Sequence, residues 1–267
     1  MSIEELSHIK GLIIDMDGVL WQDTVPIGDL KSIFNHIRDL DLKFILATNN
    51  ATRTVEGYLE KLAGFNVHLS DEQVINAAQA SGIYLQDNYK AGTKVYVVGQ
   101  PSLKQTLEHF GMVVCDGAND DINVVVASLD YQLTYEKLKT ASLLLQSGCD
   151  FIGTNRDRTL PTPEGFIPGS GAVIGALEIA SGRKAKIIGK PEPFLYETAL
   201  KRLSLSPSET LAVGDRLETD IAGAQAAGIH TALVLTGAST LEQAHAFNPQ
   251  PEIVKQDFAE LVFRWKR

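Results

Sequence analysis

Short, nearly all-apolar runs recur along this chain, and that pattern alone rules out most architectures. GLIID (11–15), KFILAT (43–48), KVYVVG (94–99), NVVVASL (123–129), DFIGT (150–154), KIIGK (186–190), LAVGD (211–215) and TALVLTG (231–237) each read as a strand. Strands that are apolar on both faces must be covered on both faces, which is the condition of a parallel sheet flanked by helices. Most of the intervening segments supply those helices. Ile33, Phe34, Ile37 and Leu40 share one helical face, and Leu138, Ala141, Leu144 and Leu145 share another. SDEQ (70–73) has capping-box spacing, with Ser70 as N-cap and Gln73 three residues on, and predicts a helix beginning beyond Ser70. The expected fold class is α/β with a doubly wound parallel sheet.

Composition narrows the partners. A chain of 267 residues suits one or two domains and can bury a core without staples. The net charge of -9 argues against nucleic acid and anionic membrane, since both reward clustered Lys and Arg, but it leaves room for a small phosphorylated ligand at a local site. Cys115 and Cys149 make neither a disulfide framework nor a four-ligand zinc set, and beside apolar runs they read as core residues. MSIEELSHIK at the N-terminus carries acids and no secretory apolar segment, and no apolar run approaches the roughly 20 residues that span a bilayer. A cytoplasmic protein with no nucleic-acid and no membrane partner is expected.

In open α/β sheets, ligands bind beyond the carboxyl ends of the strands. Four predicted strands end in residues with chemical capability. The first ends in Asp15-Met16-Asp17-Gly18, the second in Thr48-Asn49-Asn50, a later one in Lys190, and the next in a segment with Asp215 and Asp220. Each piece alone has a plain structural reading. D-x-D-G fits a turn, TNN fits a helix cap, a lone Lys fits a solvated surface, and the last two acids fit the start of a helix. Gathered in one pocket, the same residues suit phosphoryl transfer. Carboxylates are what Mg²⁺ prefers. One carboxylate can attack phosphorus, and a second can protonate the leaving oxygen and then deprotonate water. A lysine and a hydroxyl can hold the equatorial phosphate oxygens.

With these segments in this order, the sequence resembles the haloacid dehalogenase superfamily. DMDGVLW, LATNN, IGKPEP and VGDRLETD are similar to its four motifs. ATNNATRT (47–54), IGTNRDRTLPTPEGFIPGSG (152–171) and IGKPEPFLYETAL (188–200) resemble its NagD-like branch, which includes 4-nitrophenylphosphatase-type and phosphoglycolate phosphatase-type enzymes. The resemblance implies a Rossmann-like core and a role for each motif residue. Asp15 is the nucleophile and a Mg²⁺ ligand. Asp17 is the general acid and base, and its backbone carbonyl is a further ligand. Thr48 and the N–H groups of Asn49 and Asn50 bind phosphate. Lys190 binds phosphate and steadies Asp15. Asp215 is a metal ligand, and Asp220 supports the metal directly or through water. The superfamily's haloalkanoic dehalogenases lack an acid equivalent to Asp17, so its presence favours a phosphatase.

Too few residues lie between Asp17 and the helix near Pro26–Leu40 for an inserted domain, whereas a large block lies between Asn50 and Lys190. A smaller α/β cap domain is therefore expected over residues 80–180, with the core formed by 1–79 and 181–267. Asn155 and Asp157 in GTNRD fit either contact with the substrate's leaving group or a turn. Gly169-Ser170-Gly171 fits a helix start or hinge better than an anion cradle. Arg53 fits an anionic substrate or solvent equally, and Trp21 fits packing better than a pocket mouth. The expected function is Mg²⁺-dependent hydrolysis of small phosphate monoesters through an aspartyl-phosphate. Nucleoside monophosphates, phosphoglycolate, sugar phosphates and pyridoxal phosphate all stay open as substrates. A phosphotransferase or phosphomutase, a receiver-like switch and a silent phosphate-binding module are the alternatives. Monomer and cap-mediated homodimer are equally compatible with the sequence.

Overall fold

In a computed structural model that describes residues 7–117, 121–162 and 164–265, all eight apolar runs become strands. They are Gly11–Ile14, Lys43–Thr48, Lys94–Val98, Val124–Ala127, Asp150–Gly153, Lys186–Ile187, Thr210–Gly214 and His230–Val234. The chain divides into two compact units. The first holds the residues up to Thr48, Val55–Ile75 and the residues from Lys190 on, and the second holds Asn49–Thr54 and Asn76–Gly189. These borders enclose whole helices. The sequence-based borders at 79/80 and 180/181 instead fall inside the helices Ala77–Asn88 and Ser170–Ser181, each packed as one piece.

The first unit is built on a six-stranded sheet in the order Ile253–Lys255, His230–Val234, Thr210–Gly214, Gly11–Ile14, Lys43–Thr48, Val74–Asn76. Gly11–Ile14 pairs in parallel with Thr210–Gly214 on one side and with Lys43–Thr48 on the other. The chain thus runs outward from the first strand in both directions, which makes its carboxyl end the switch point where such sheets bind ligands. Alternation divides the strand's residues between two faces. Leu12 and Ile14 join Ile33, Phe34 and Ile37 of the helix Leu30–Asp39 in one core cluster. Ile13 is equally buried outside that cluster, and the helix Phe194–Leu203 packs on the Gly11–Ile14 and Lys43–Thr48 strands. Each such Leu or Ile contributes about 1.5–3 kcal/mol by leaving water. The helix Leu30–Asp39 begins at Asp29, whose side chain accepts the Ser32 N–H at 3.2 Å.

The SDEQ pattern gives less helix than expected. Gln73 Oε1 accepts the Ser70 N–H at 3.2 Å, but the turn it closes is a single 3₁₀ turn, Asp71–Gln73. Val74 and Ile75 follow, both β-branched and fully buried, and they extend as the edge strand Val74–Asn76. The long helix starts only at Ala77, where the Asn76 side chain accepts the Gln79 N–H at 2.8 Å.

The second unit has its own five-stranded sheet, in the order Lys186–Ile187, Asp150–Gly153, Val124–Ala127, Lys94–Val98, Val113–Cys115, with every pair parallel. Val98, Val125, Phe151, Ile174 and Leu177 anchor its core. Cys149 is buried and Cys115 half-buried, and neither forms a disulfide. Among the described residues, no helix is long and apolar enough to cross a membrane.

Candidate active site

Asp15 follows directly on the central strand, and its N–H still donates to Val213 O at 2.8 Å, so the sheet ladder fixes its backbone. Its side chain is nearly buried and faces Lys190, which is 2 % exposed. The Lys190 ammonium donates to Asp15 Oδ1 at 2.5 Å, to Asp220 Oδ1 at 2.6 Å and to Ala47 O at 2.8 Å. Those three bonds match the three donors of an ammonium. Asp220 sits on a widened π-type turn, Leu217–Ile221, which swings its carboxyl back so that Oδ2 accepts the Arg216 N–H at 3.1 Å.

Asp215 ends the neighbouring strand and completes the group. Ligand oxygens of Asp15, Asp215 and Asp220 all lie within 4.8 Å of one another, and among the described residues this is the one acidic group compact enough to hold an ion. Asp215 is seated in a narrow cradle. The Ala238 N–H donates to its Oδ2 at 2.6 Å. A Cβ at Gly18, where φ is +86°, would stand 2.6 Å from that same oxygen, and a Cβ at Gly237 would run into the carboxyl itself. Only glycine leaves this space. Thr48, at the end of the adjacent strand, is also buried.

The electrostatics are unbalanced. Burial, reinforced by Asp220 and Asp215, pushes the Asp15 carboxyl well above the usual carboxylate range against the pull of Lys190. Burial and Asp220 push Asp215 up to about 7, opposed by the Ala238 N–H. Burial works against the Lys190 charge, yet Asp15 and Asp220 outweigh it and hold the ammonium charged. Three ionised carboxyls and one ammonium would leave a surplus of buried negative charge, which is costly without a further cation.

Asp17 does not turn its side chain into this acidic group. It is half-buried, and its Oδ1 accepts the indole N–H of Trp21 at 2.8 Å. Trp21 is fully buried, so the pocket-mouth alternative does not describe it.

The remaining sequence candidates belong to the second unit. Asn155 is buried, and its amide donates to Asn49 O at 2.8 Å while its Oδ1 accepts the Asp157 N–H at 3.0 Å. Asn49 Nδ2 donates to Asp157 Oδ1 at 3.2 Å. GTNRD therefore braces the backbone of Asn49. Asn50 Oδ1 accepts the Thr52 N–H and hydroxyl at 3.0 and 2.7 Å, forming the turn after Asn49. Arg53 is exposed, and its carbonyl accepts from Asn76 Nδ2. Gly169-Ser170-Gly171 opens the helix Ser170–Ser181, and the Gly171 N–H donates to Asp157 O, so this segment is a helix start. Sequence reasoning passed over Glu178 in that helix. It is buried and takes Arg156 Nη2 at 2.8 Å, Lys184 Nζ at 3.0 Å and the Ala185 N–H at 3.0 Å. An acid inside the apolar run AVIGALEIA was the available signal.

The chain is similar to known proteins over nearly its whole length. A family model described as haloacid dehalogenase-like hydrolase matches residues 12–113, and one described as HAD-hydrolase-like matches residues 187–261. The chain is 34% identical over 258 residues to an acid sugar phosphatase of Staphylococcus aureus, spanning 96% of this chain and 98% of that one. A glycerol phosphate phosphatase from Mycobacterium tuberculosis, solved in complex with magnesium, superposes with a TM-score of 0.89 at 30% identity over 98% of this chain and 78% of that one. NagD from Escherichia coli superposes with a TM-score of 0.86 at 30% identity over 94% of this chain and 98% of that one.

Proposed function

The chain belongs to the haloacid dehalogenase-like hydrolases, and on that footing we propose that it is a Mg²⁺-dependent phosphatase of small phosphate monoesters that works through an aspartyl-phosphate on Asp15. The observation that carries this reading is the buried trio of Asp15, Asp215 and Asp220 around a single ammonium, at the carboxyl end of the central strand. The donor set fits Mg²⁺. It consists of hard carboxylate oxygens, its charge surplus calls for a cation, and Gly18 and Gly237 keep the space beside Asp215 clear. Asp15, Asp215 and the backbone carbonyl of Asp17 would hold the ion, with Asp220 supporting them while it anchors Lys190. When bound, the ion offsets the repulsion among these acids and polarises the phosphoryl group.

The chain's own residues then divide the work. A carboxylate oxygen of Asp15 attacks phosphorus as the ester P–O bond breaks, and Asp17 gives its proton to the departing alkoxide. A water next attacks the aspartyl-phosphate at phosphorus, Asp17 takes its proton, and the bond to Asp15 breaks, releasing orthophosphate. Lys190 holds Asp15 in place and places its charge against that of the phosphoryl group. Thr48 and the N–H groups of Asn49 and Asn50, next along the chain, receive the phosphate oxygens. Asn155 supports them from its bond to Asn49 O. The acids and Lys190 all lie in the first unit, so we read the second as the cap that selects the substrate.

Because relatives carry the names acid sugar phosphatase and glycerol phosphate phosphatase, sugar and polyol phosphates head the substrate panel. Nucleoside monophosphates, phosphoglycolate, pyridoxal phosphate and p-nitrophenyl phosphate complete it. The test is phosphate release with Mg²⁺ and with a chelator, ranked by kcat/KM. Mg²⁺-dependent release that disappears in Asp15→Asn is expected. Release that survives exhaustive chelation overturns the metal assignment, and wild-type turnover by Asp15→Asn overturns the nucleophile.

A further inference from the structure

We propose that Trp21 is a positioning residue for Asp17, its indole N–H holding one carboxyl oxygen and leaving the other free for the proton transfers assigned to that residue. This rests on the phosphatase reading above. Trp21 lies four residues after Asp17, on the two-residue strand Trp21–Gln22, and its Nε1–H donates to Asp17 Oδ1 at 2.8 Å. The turn that joins them is tied at several points. The Gly18 N–H donates to Trp21 O and the Leu20 N–H to Met16 O, both at 2.8 Å, and the Thr236 hydroxyl donates to Gly18 O at 2.6 Å.

An indole N–H can only donate. Oδ1 of Asp17 is therefore the acceptor committed to the indole, and Oδ2 is the oxygen left for exchange with the leaving group and water. Without the N–H, the broad torsion of an aspartate carboxyl would let both oxygens exchange places. A buried indole N–H needs a partner, and the partner here is the residue assigned the proton chemistry.

Lys61 gives a second, independent sign of tuning. Its Nζ stands 3.9 Å from the centroid of the Trp21 ring and donates to Asp23 O at 2.6 Å. A cation over the ring face is attracted to it. By drawing density from the ring it would make the N–H a stronger donor.

The test is Trp21→Phe, which keeps an aromatic ring and removes the N–H. Two substrates separate the roles. p-Nitrophenyl phosphate has a leaving group that departs readily as an anion, whereas glycerol phosphate needs its alkoxide protonated. The ratio kcat/KM covers the steps up to departure of the alcohol and leaves out the later attack of water, for which Asp17 is the base with either substrate. With glycerol phosphate, kcat/KM should fall by about 10- to 100-fold, a fraction of what general acid catalysis supplies. With p-nitrophenyl phosphate, kcat/KM should change less than about threefold. Adding Trp21→Phe to Asp17→Asn should cost nothing further, because two residues that act through one carboxyl are not additive. An equal fall in kcat/KM on both substrates, no fall, or a rise overturns the proposal. If Trp21→Phe does not fold, Lys61→Met decides by the same comparison, with a selective loss of at least about threefold expected. Absence of phosphate release by the wild-type protein from both substrates is a different result, which removes the phosphatase reading itself.

Discussion

Replacing Lys190 by methionine keeps the length of the side chain and deletes its charge. The ammonium is 2 % exposed and lies 2.5 Å from one carboxylate and 2.6 Å from another. Removing one partner of a buried ion pair costs about 3–5 kcal/mol, because the charge left behind is uncompensated. That corresponds to a fall in Tm of about 6–20 °C for a domain of this size class. The fall depends on pH, and the acids set its sign. Lys190 is held charged above its ordinary value, so between pH 5 and 9 it is protonated whether folded or unfolded and adds no slope. Asp215 has an ordinary value of 3.8 and about 7 in the folded chain. Its contribution to stability is full below 3.8 and is lost as pH rises to about 7. Without Lys190, Asp15 and Asp215 are pushed higher still, so Lys190→Met should suffer most at pH 8 and recover at least half of the deficit at pH 5, where those two acids can take protons. Thermal unfolding followed by circular dichroism in chelator at the two pH values measures this. Equal deficits at both pH values, or a deficit below about 1 kcal/mol, would refute the charge balance drawn for the site.

Asp15→Asn removes one of three mutually repelling acids while Lys190 keeps Asp220. Phosphate release should fall by at least about 10³-fold, and the metal-free Tm at pH 8 should hold or rise; a fall beyond about 10 °C contradicts the electrostatic account. Gly237→Ala drives a methyl group into the Asp215 carboxyl. It should cost about 1–3 kcal/mol by overpacking and abolish the rise in Tm on adding Mg²⁺; an undiminished response in a Mg²⁺ titration would show that the cradle does not matter. Glu178 is held down to about 2 by its bond from Arg156, so it adds stability above its ordinary 4.5 and loses it as pH falls toward 2. Glu178→Gln should therefore lower stability by about 1–3 kcal/mol at pH 7 and by much less at pH 3, checked by denaturant unfolding at both values.

The positions of Asp15, Thr48, Lys190 and Asp215 could be read from the sequence because each follows a wholly apolar run, and a run apolar on both faces has few alternatives to a central parallel strand. Val113–Cys115 and Ile253–Lys255 were hidden for the opposite reason. They are three residues long, only partly buried, and lie at sheet edges, where pairing rather than pattern makes the strand. The bond between Lys190 and Asp220 spans 30 residues and depends on a π-type turn that no spacing announces. Glu178 reads as a solvated charge on a helix, because Arg156, Lys184 and the Ala185 N–H meet it only in three dimensions. Ser70 shows how burial overrides a local signal. Its capping box forms, yet two buried β-branched residues convert the expected helix into a strand.

The central strand, Gly11–Ile14, takes one neighbour from residues 43–48 and the other from residues 210–214. A ribosome working at about 5–20 residues per second therefore leaves it half-paired for about 8–33 s. During that interval the nascent chain displays an apolar strand edge, while residues 76–189 emerge as one continuous stretch containing all five strands of their own sheet. The inserted unit has the information to fold before the unit that surrounds it in sequence. The acids of the trio come together only when Asp215 and Asp220 are made, so no partly synthesised chain gathers that concentration of negative charge.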